Sequence, residues 1–64
     1  MKRYKVRQVL DMLKADGWII KAQRGSHRQL CHPTKKGKVT VNGKESDTVE
    51  QNNLNSIWKQ AGWK

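Results

Sequence analysis

Three side chains near the middle of the chain have the chemistry needed for proton transfer or nucleophilic attack. They are His27, Cys31 and His32. An imidazole exchanges protons near neutral pH, so a histidine can serve as general acid or general base. Cys31 has no acid–base group at a spacing that would activate it, so we do not expect it to be a nucleophile. We expect His32, which directly precedes Pro33, to be structural.

Basic side chains surround these three groups. Between Gly17 and Lys44 the chain has seven basic residues and no acidic one, and three of its five acidic residues follow directly. The whole chain carries a formal net charge of +9, which favours a polyanionic partner such as nucleic acid, an acidic membrane face or an acidic protein. A solvated face is the alternative, but an unbroken basic segment favours a binding surface. The basic residues are Lys21, Arg24, Arg28, Lys35, Lys36, Lys38 and Lys44.

Length and composition exclude several classes of protein. Sixty-four residues make one small domain, expected over residues 1–64, and rule out a two-domain enzyme. The single cysteine forbids an internal disulfide, and a closed zinc site lacks its ligands, so we expect no metal and no cofactor. The longest apolar run, Trp18-Ile19-Ile20, is too short to enter a membrane, and no signal peptide is visible. These features predict a cytoplasmic protein whose thin core is supported by a protein partner.

Two stretches have helical periodicity. Apolar residues spaced i, i+3, i+4, i+7 predict a helix over about 6–16, although no residue of the usual N-cap types precedes it. The same spacing predicts a second helix over about 50–61, with a capping box formed by Asp47 and Glu50 or by Thr48 and Gln51. Glycines at 17 and 62 are expected to end the two helices. The apolar stripes are Val6, Val9, Leu10 and Leu13, and Leu54, Ile57, Trp58 and Ala61.

The segment between the helices alternates like β-strands, predicted at about 18–24, 26–32 and 37–42. Arg24-Gly25 is expected to form a tight turn. In the first strand, Trp18, Ile20 and Ala22 should share one face. In the second, Leu30 and Arg28 should face the core, with the opposite face carrying His27, Gln29 and Cys31. In the third, Val39 and Val41 should point inward. The order predicts an α+β fold, α-β-β-β-α, with a three-stranded antiparallel sheet and two helices on one face.

Four short motifs give the chain a recognisable likeness. They are Asp16-Gly17-Trp18, Arg24-Gly25-Ser26-His27, His32-Pro33 and Lys59-Gln60-Ala61-Gly62. In order and spacing they resemble the HicA family of toxin mRNA interferases, from about Val6 to Gly62. The resemblance implies a double-stranded-RNA-binding-domain-like fold and a metal-independent endoribonuclease that cleaves mRNA. It also implies a HicB-type antitoxin that would cover the basic face and His27, in a bacterial, archaeal or phage-borne system.

The resemblance places the catalytic histidine of the family at His27. Cleavage through the RNA 2′-hydroxyl needs proton transfer, which an imidazole supplies, and cations for the transition state. Arg28 stands where family members often have a second histidine and, if it faces the core, would have to reach around the sheet edge. Ser26 either hydrogen-bonds the turn or contacts phosphate. The residues expected to bind RNA or phosphate are Lys21, Arg24, Ser26, Arg28, Lys35, Lys36 and Lys38. Of these, the lysines that follow the second strand are expected to lie close to His27.

Two other functions remain open from the sequence. A non-catalytic RNA-binding module of the same fold would use the same basic residues and differ only at His27. A small DNA-binding protein is less favoured, because no helix-turn-helix spacing and no basic recognition helix are present.

Overall fold

The chain folds as a helix, three strands and a second helix. A computed structural model describes residues 3–63, so Met1, Lys2 and Lys64 of the expected domain lie outside the described residues. The predicted α-β-β-β-α order is confirmed, and each predicted element is present within one or two residues of its predicted bounds. The elements are α1 (Val6–Ala15), β1 (Ile19–Arg24), β2 (His27–Cys31), β3 (Val39–Val41) and α2 (Gln51–Gln60).

The strands form one antiparallel sheet in the order β1-β2-β3. One face of this sheet packs on both helices, and Leu30, Val39 and Val41 are buried there together with the apolar stripes of α1 and α2. As predicted, Arg28 lies on this covered side and is 7% exposed, while His27 and Gln29 point to the opposite side and are exposed. The strand alternation therefore divides β2 into a packing side and a solvent side.

One face assignment in β1 is wrong. Trp18 is buried and Ile20 is half-buried, as expected, but Ala22 is exposed. The register shifts between Ile20 and Ala22, so Lys21 is an extra residue in β1 and Ala22 lies opposite Gln29 on the solvent side. A β-bulge of this kind reverses the alternation beyond it. The bulge consequently turns Arg24 to the same side as its partner His27.

The start of α1 explains why the sequence has no ordinary N-cap there. The first backbone N–H groups donate to carbonyls from far along the chain, Val6 to Asp47 at 2.8 Å and Arg7 to Glu45 at 3.1 Å. The Gln8 side chain accepts from the backbone N–H of Lys5 at 2.8 Å. Carbonyls and an amide oxygen thus satisfy donors that a side-chain cap satisfies elsewhere.

The predicted capping box at the start of α2 is not formed. Glu50 is the N-cap residue and its side chain makes no capping hydrogen bond. The Asp47 carboxylate instead accepts from the backbone N–H of Lys44 at 3.1 Å, which closes the loop before the helix.

Both helices end in the same way, as the glycines predict. After α1, the N–H of Trp18 donates to the carbonyl of Leu13 and that of Gly17 to Lys14. After α2, the N–H of Trp63 donates to Trp58 and that of Gly62 to Lys59. Each pattern is a Schellman motif with a positive-φ glycine at its centre. A tryptophan therefore follows each helix at an equivalent position.

Candidate active site

The side of the sheet that the helices leave uncovered is called here the open face. It consists of rows of side chains that lie across the strands. The register pairs Arg24 with His27, Ala22 with Gln29 and Ile19 with Cys31, and it pairs Gln29 with Thr40. Continuing the alternation of β3 by one residue at each end places Asn42 beside His27 and Lys38 beside Cys31. The three rows are Arg24–His27–Asn42, Ala22–Gln29–Thr40 and Ile19–Cys31–Lys38.

His27 is placed by a tight hairpin. Gly25 has φ of 59° and, with Ser26, connects Arg24 directly to His27, the residue that begins β2. Glycine at the first of two central positions is typical of a type II′ turn, whose twist suits paired strands. The His27 ring is exposed and makes no hydrogen bond within residues 3–63. Both ring nitrogens are therefore available to a bound molecule.

Arg28 binds backbone on the covered side. Its Nη1 donates to the carbonyl of Ser26 at 3.2 Å and to that of Gly43 at 2.9 Å. These carbonyls belong to the residues that precede His27 and follow Asn42. The buried guanidinium therefore holds the start of β2 against the end of β3, and its nitrogens do not lie beside the His27 ring.

The other histidine, His32, is fully committed to hydrogen bonds. Its Nδ1 accepts from the backbone N–H groups of Thr34 and Lys35, each at 3.1 Å. Since Nδ1 is an acceptor, the ring proton is on Nε2, which donates to the carbonyl of Asp16 at 2.7 Å. The ring also meets Trp18 edge to face. This confirms the structural role expected for His32.

Asp16 collects three donors on one carboxylate oxygen. Its Oδ2 accepts from Lys35 Nζ at 2.7 Å and from the indole Nε1 atoms of Trp18 and Trp63, each at 3.1 Å. The Lys35 ammonium, with help from the two indoles, lowers the pKa of Asp16 below its ordinary value although partial burial opposes this. Lys35 also donates to the carbonyl of Ala61 at 3.1 Å. Lys35 therefore joins the ends of both helices to the loop after β2.

The remaining predicted cations are exposed but lie at different distances from His27. Arg24 is its direct partner across the hairpin. Lys21 lies at the bulge in the middle of β1. Lys36 and Lys38 follow the end of β2, and His27 stands at its beginning, so the expected closeness of Lys35 and Lys36 to His27 is not observed. Four residues of strand at about 3.3 Å each separate His27 from Cys31 by about 13 Å.

One neighbour of His27 was missed in the sequence. Gln29 is exposed on the same face as His27, as expected. Asn42, directly after β3, is also exposed and was not predicted as a site residue. The alternation of β3, with Val39 and Val41 inward, could have found it. Ser26 is half-buried, and its hydroxyl makes no hydrogen bond within the described chain.

None of the acidic residues belongs to the three rows of the open face. A groove of about 410 Å³ runs beside β3 and α2, and Asp47 and Glu50 line it together with Thr40 and Asn42, which lie at the β3 edge of the open face. Asp11 lies on α1, and Asp16 is paired with Lys35. The rows of the open face therefore attract anions, whereas the groove along their β3 edge carries the negative charge of Asp47 and Glu50.

Comparison with known families identifies the class of protein. A family model described as the HicA toxin of bacterial toxin–antitoxin systems matches residues 6–63. The chain belongs to the HicA toxin family, which makes it a toxin of the ribonuclease type and indicates an RNA target and an antitoxin partner. No curated protein matches the sequence.

Two further observations concern membranes and metals. No helix among residues 3–63 has the length and apolar composition needed to cross a membrane. The same residues bring together no group of three or more His, Cys, Asp or Glu side chains able to hold a metal ion.

Proposed function

We propose that this toxin is a metal-independent endoribonuclease that cleaves mRNA in the cytoplasm with His27 as general acid or base. The observation that carries the proposal is the position of His27, which is exposed, free of internal hydrogen bonds and paired with Arg24 on a face without carboxylates. A bound phosphodiester can reach both side chains at once.

The reaction forms one bond and breaks one. The ribose 2′-oxygen attacks the adjacent phosphorus while the bond from phosphorus to the 5′-oxygen breaks, leaving a 2′,3′-cyclic phosphate and a free 5′-hydroxyl. One proton leaves the 2′-hydroxyl and one joins the departing oxygen. His27 serves one of these transfers and water serves the other. Arg24 stabilises the negative charge that grows on the phosphate oxygens.

The other predicted contacts take different parts. Lys21, Lys36 and Lys38 attract the RNA backbone, and the free hydroxyl of Ser26 contacts phosphate beside His27. Arg28 does not contact the RNA; it positions His27 by binding the carbonyls of Ser26 and Gly43. Lys35 stabilises the fold, because its ammonium is paired with Asp16.

A HicB-type antitoxin neutralises the toxin by covering the open face. A protein that competes with RNA for this face presents acidic side chains, so its binding weakens as salt rises. Such a partner also supports a small chain with a thin core.

Incubation of purified protein with RNA in EDTA tests the proposal. We expect cleavage by the wild type, and loss of cleavage with retained RNA affinity in His27→Ala. Lys59→Ala, an exposed residue on α2, is the matched control and should cut normally. Intact RNA under every condition, with binding retained, would instead identify a non-catalytic RNA-binding module.

A further inference from the structure

The row of the open face farthest from His27 combines an exposed apolar side chain with an unpaired cation. Ile19 is 58% exposed and is the one large hydrophobic residue so exposed within residues 3–63. It lies opposite the half-buried Cys31. Lys38 directly precedes Val39, the β3 residue that pairs with Leu30, so the register continued by one residue sets Lys38 opposite Cys31. Lys38 is exposed and makes no ion pair with any described residue.

The loop after β2 is fixed in a way that leaves Lys36 and Lys38 free. His32 Nδ1 accepts two backbone N–H groups of the loop, and Lys35 is tied to Asp16 and Ala61. Lys35 therefore turns toward the helices. Lys36 and Lys38, on either side of Gly37, remain exposed. Hydrogen bonds thus tie the loop backbone to His32 and to the helix ends, and the two ammonium groups are left in solvent.

The space between this row and His27 suits a polynucleotide strand. The middle row, Ala22–Gln29–Thr40, contains no charge and only one long side chain. About 13 Å of strand separates the two ends, a span of a few nucleotides. A strand that lies along the open face can therefore place one phosphate between Arg24 and His27 and a later one near Lys38.

We propose that Ile19, Cys31, Lys36 and Lys38 form a second subsite for the same RNA strand, and that this subsite holds an unpaired nucleotide remote from the cleaved bond. This inference rests on the proposed function. Lys36 and Lys38 bind a phosphate remote from the cleaved bond, and Ile19 packs against a base. In a duplex, each base is stacked on both of its faces by the neighbouring base pairs. Only an unpaired base therefore has a free face that can pack against Ile19.

Cleavage of a series of RNAs, shortened one nucleotide at a time from each end of the cut site, tests the subsite. For the wild type we expect kcat/KM to fall about tenfold when the segment that reaches Lys38 is removed from one end. The double variant Lys36→Ala/Lys38→Ala should already have the lower kcat/KM on the long RNA, and its kcat/KM should not fall further when the RNA is shortened. Ile19→Ser should lose a smaller part of it, and Lys59→Ala should behave as wild type. Annealing a complementary strand should suppress cleavage.

A fall of equal size in the wild type and the double variant would overturn the subsite, and so would the absence of any fall in the wild type. A failure of the proposed function appears differently, as no cleavage of any RNA by the wild type. Binding then decides. The slope of log affinity against log salt for a single-stranded RNA should decrease by about 0.7 for each lysine whose ammonium no longer neutralises a phosphate. An unchanged slope, with weaker affinity only for the antitoxin, would assign the row to a protein interface and overturn the proposal.

Discussion

The two ends of β2 carry the two histidines of the chain in opposite states. His27 at the start is exposed and has both ring nitrogens free, while His32, just past the end, uses both in hydrogen bonds. The difference comes from their surroundings. A hairpin turn places His27 in solvent, whereas the C-terminal end of α1 and the loop after β2 enclose His32. Residue type alone therefore does not decide which histidine can act on a substrate.

The same contrast divides the basic residues. Lys35 is paired with Asp16 and Arg28 with two carbonyls, whereas Arg24, Lys36 and Lys38 are exposed. The committed side chains stabilise the fold, and the free ones give the open face its charge. Net charge therefore overstates the number of cations available to RNA.

The largest effect should come from the substrate. An RNA with a 2′-deoxy sugar at the cut position lacks the nucleophile that His27 is proposed to assist. We expect its cleavage to be undetectable while its affinity is unchanged, measured by gel analysis and by binding titration. Efficient cutting of this substrate would remove the 2′-hydroxyl mechanism and, with it, the role assigned to the free histidine.

Removing a free and a committed cation should affect different properties. Arg24→Ala should lower kcat/KM by about 10²-fold, because the variant lacks a donor to the transition-state charge, with little change in melting temperature. Lys35→Ala should lower the melting temperature and leave kcat/KM of the folded protein near wild type. Steady-state kinetics and thermal unfolding of both variants check this. Loss of activity in folded Lys35→Ala would show that Lys35 also serves the site.

The glycines that end the two helices allow a test of the His32 environment. Both have positive φ, 105° at Gly17 and 78° at Gly62, so alanine is strained at either position. A Cβ at Gly17 would also lie 2.8 Å from His32 Nε2, whereas nothing lies within 4 Å at Gly62. We expect Gly62→Ala to cost about 1–2 kcal/mol and Gly17→Ala clearly more. Equal costs in denaturant unfolding would contradict the tight contact with His32.

The free energy of unfolding should decrease in acid, because protonation of Asp16 removes its ion pair with Lys35. The Lys35 ammonium lowers the folded-state pKa of Asp16 below its ordinary value of 3.8, so ionised Asp16 favours the folded state. This contribution is complete above the unfolded-state pKa and is lost as pH falls through the folded-state pKa. Stability measured against pH should therefore decrease below about pH 4, and less steeply in Asp16→Asn. An identical slope in that variant would contradict the coupling.

The sequence predicted much of the fold because its local patterns agree with its tertiary contacts. The stripes of α1 and α2, the terminal glycines, and the alternation of β2 and β3 identified the elements and placed His27 opposite the core. The bulge at Lys21 has no local signal, and so the turning of Arg24 toward His27 could not be foreseen. The donors at the start of α1 are satisfied by Glu45 and Asp47, contacts that only the folded chain creates. For the same reason the pairing of Lys35 with Asp16 was hidden.

The candidate site followed from the sequence only in part. The basic segment and the Gly-Ser-His turn indicated the region, but a row of side chains across three strands depends on register. Asn42 and Lys38 flank β3, and their place on the open face follows from the register of β3 on β2, which composition does not encode.

Growth of cells that produce the chain, with and without His27, tests the central claim most directly. Cells producing the wild type should stop growing and lose intact mRNA, and cells producing equal amounts of folded His27→Ala should grow normally. Growth arrest and mRNA loss that persist in His27→Ala would contradict the account, because the exposed imidazole would then not be the group that acts on RNA.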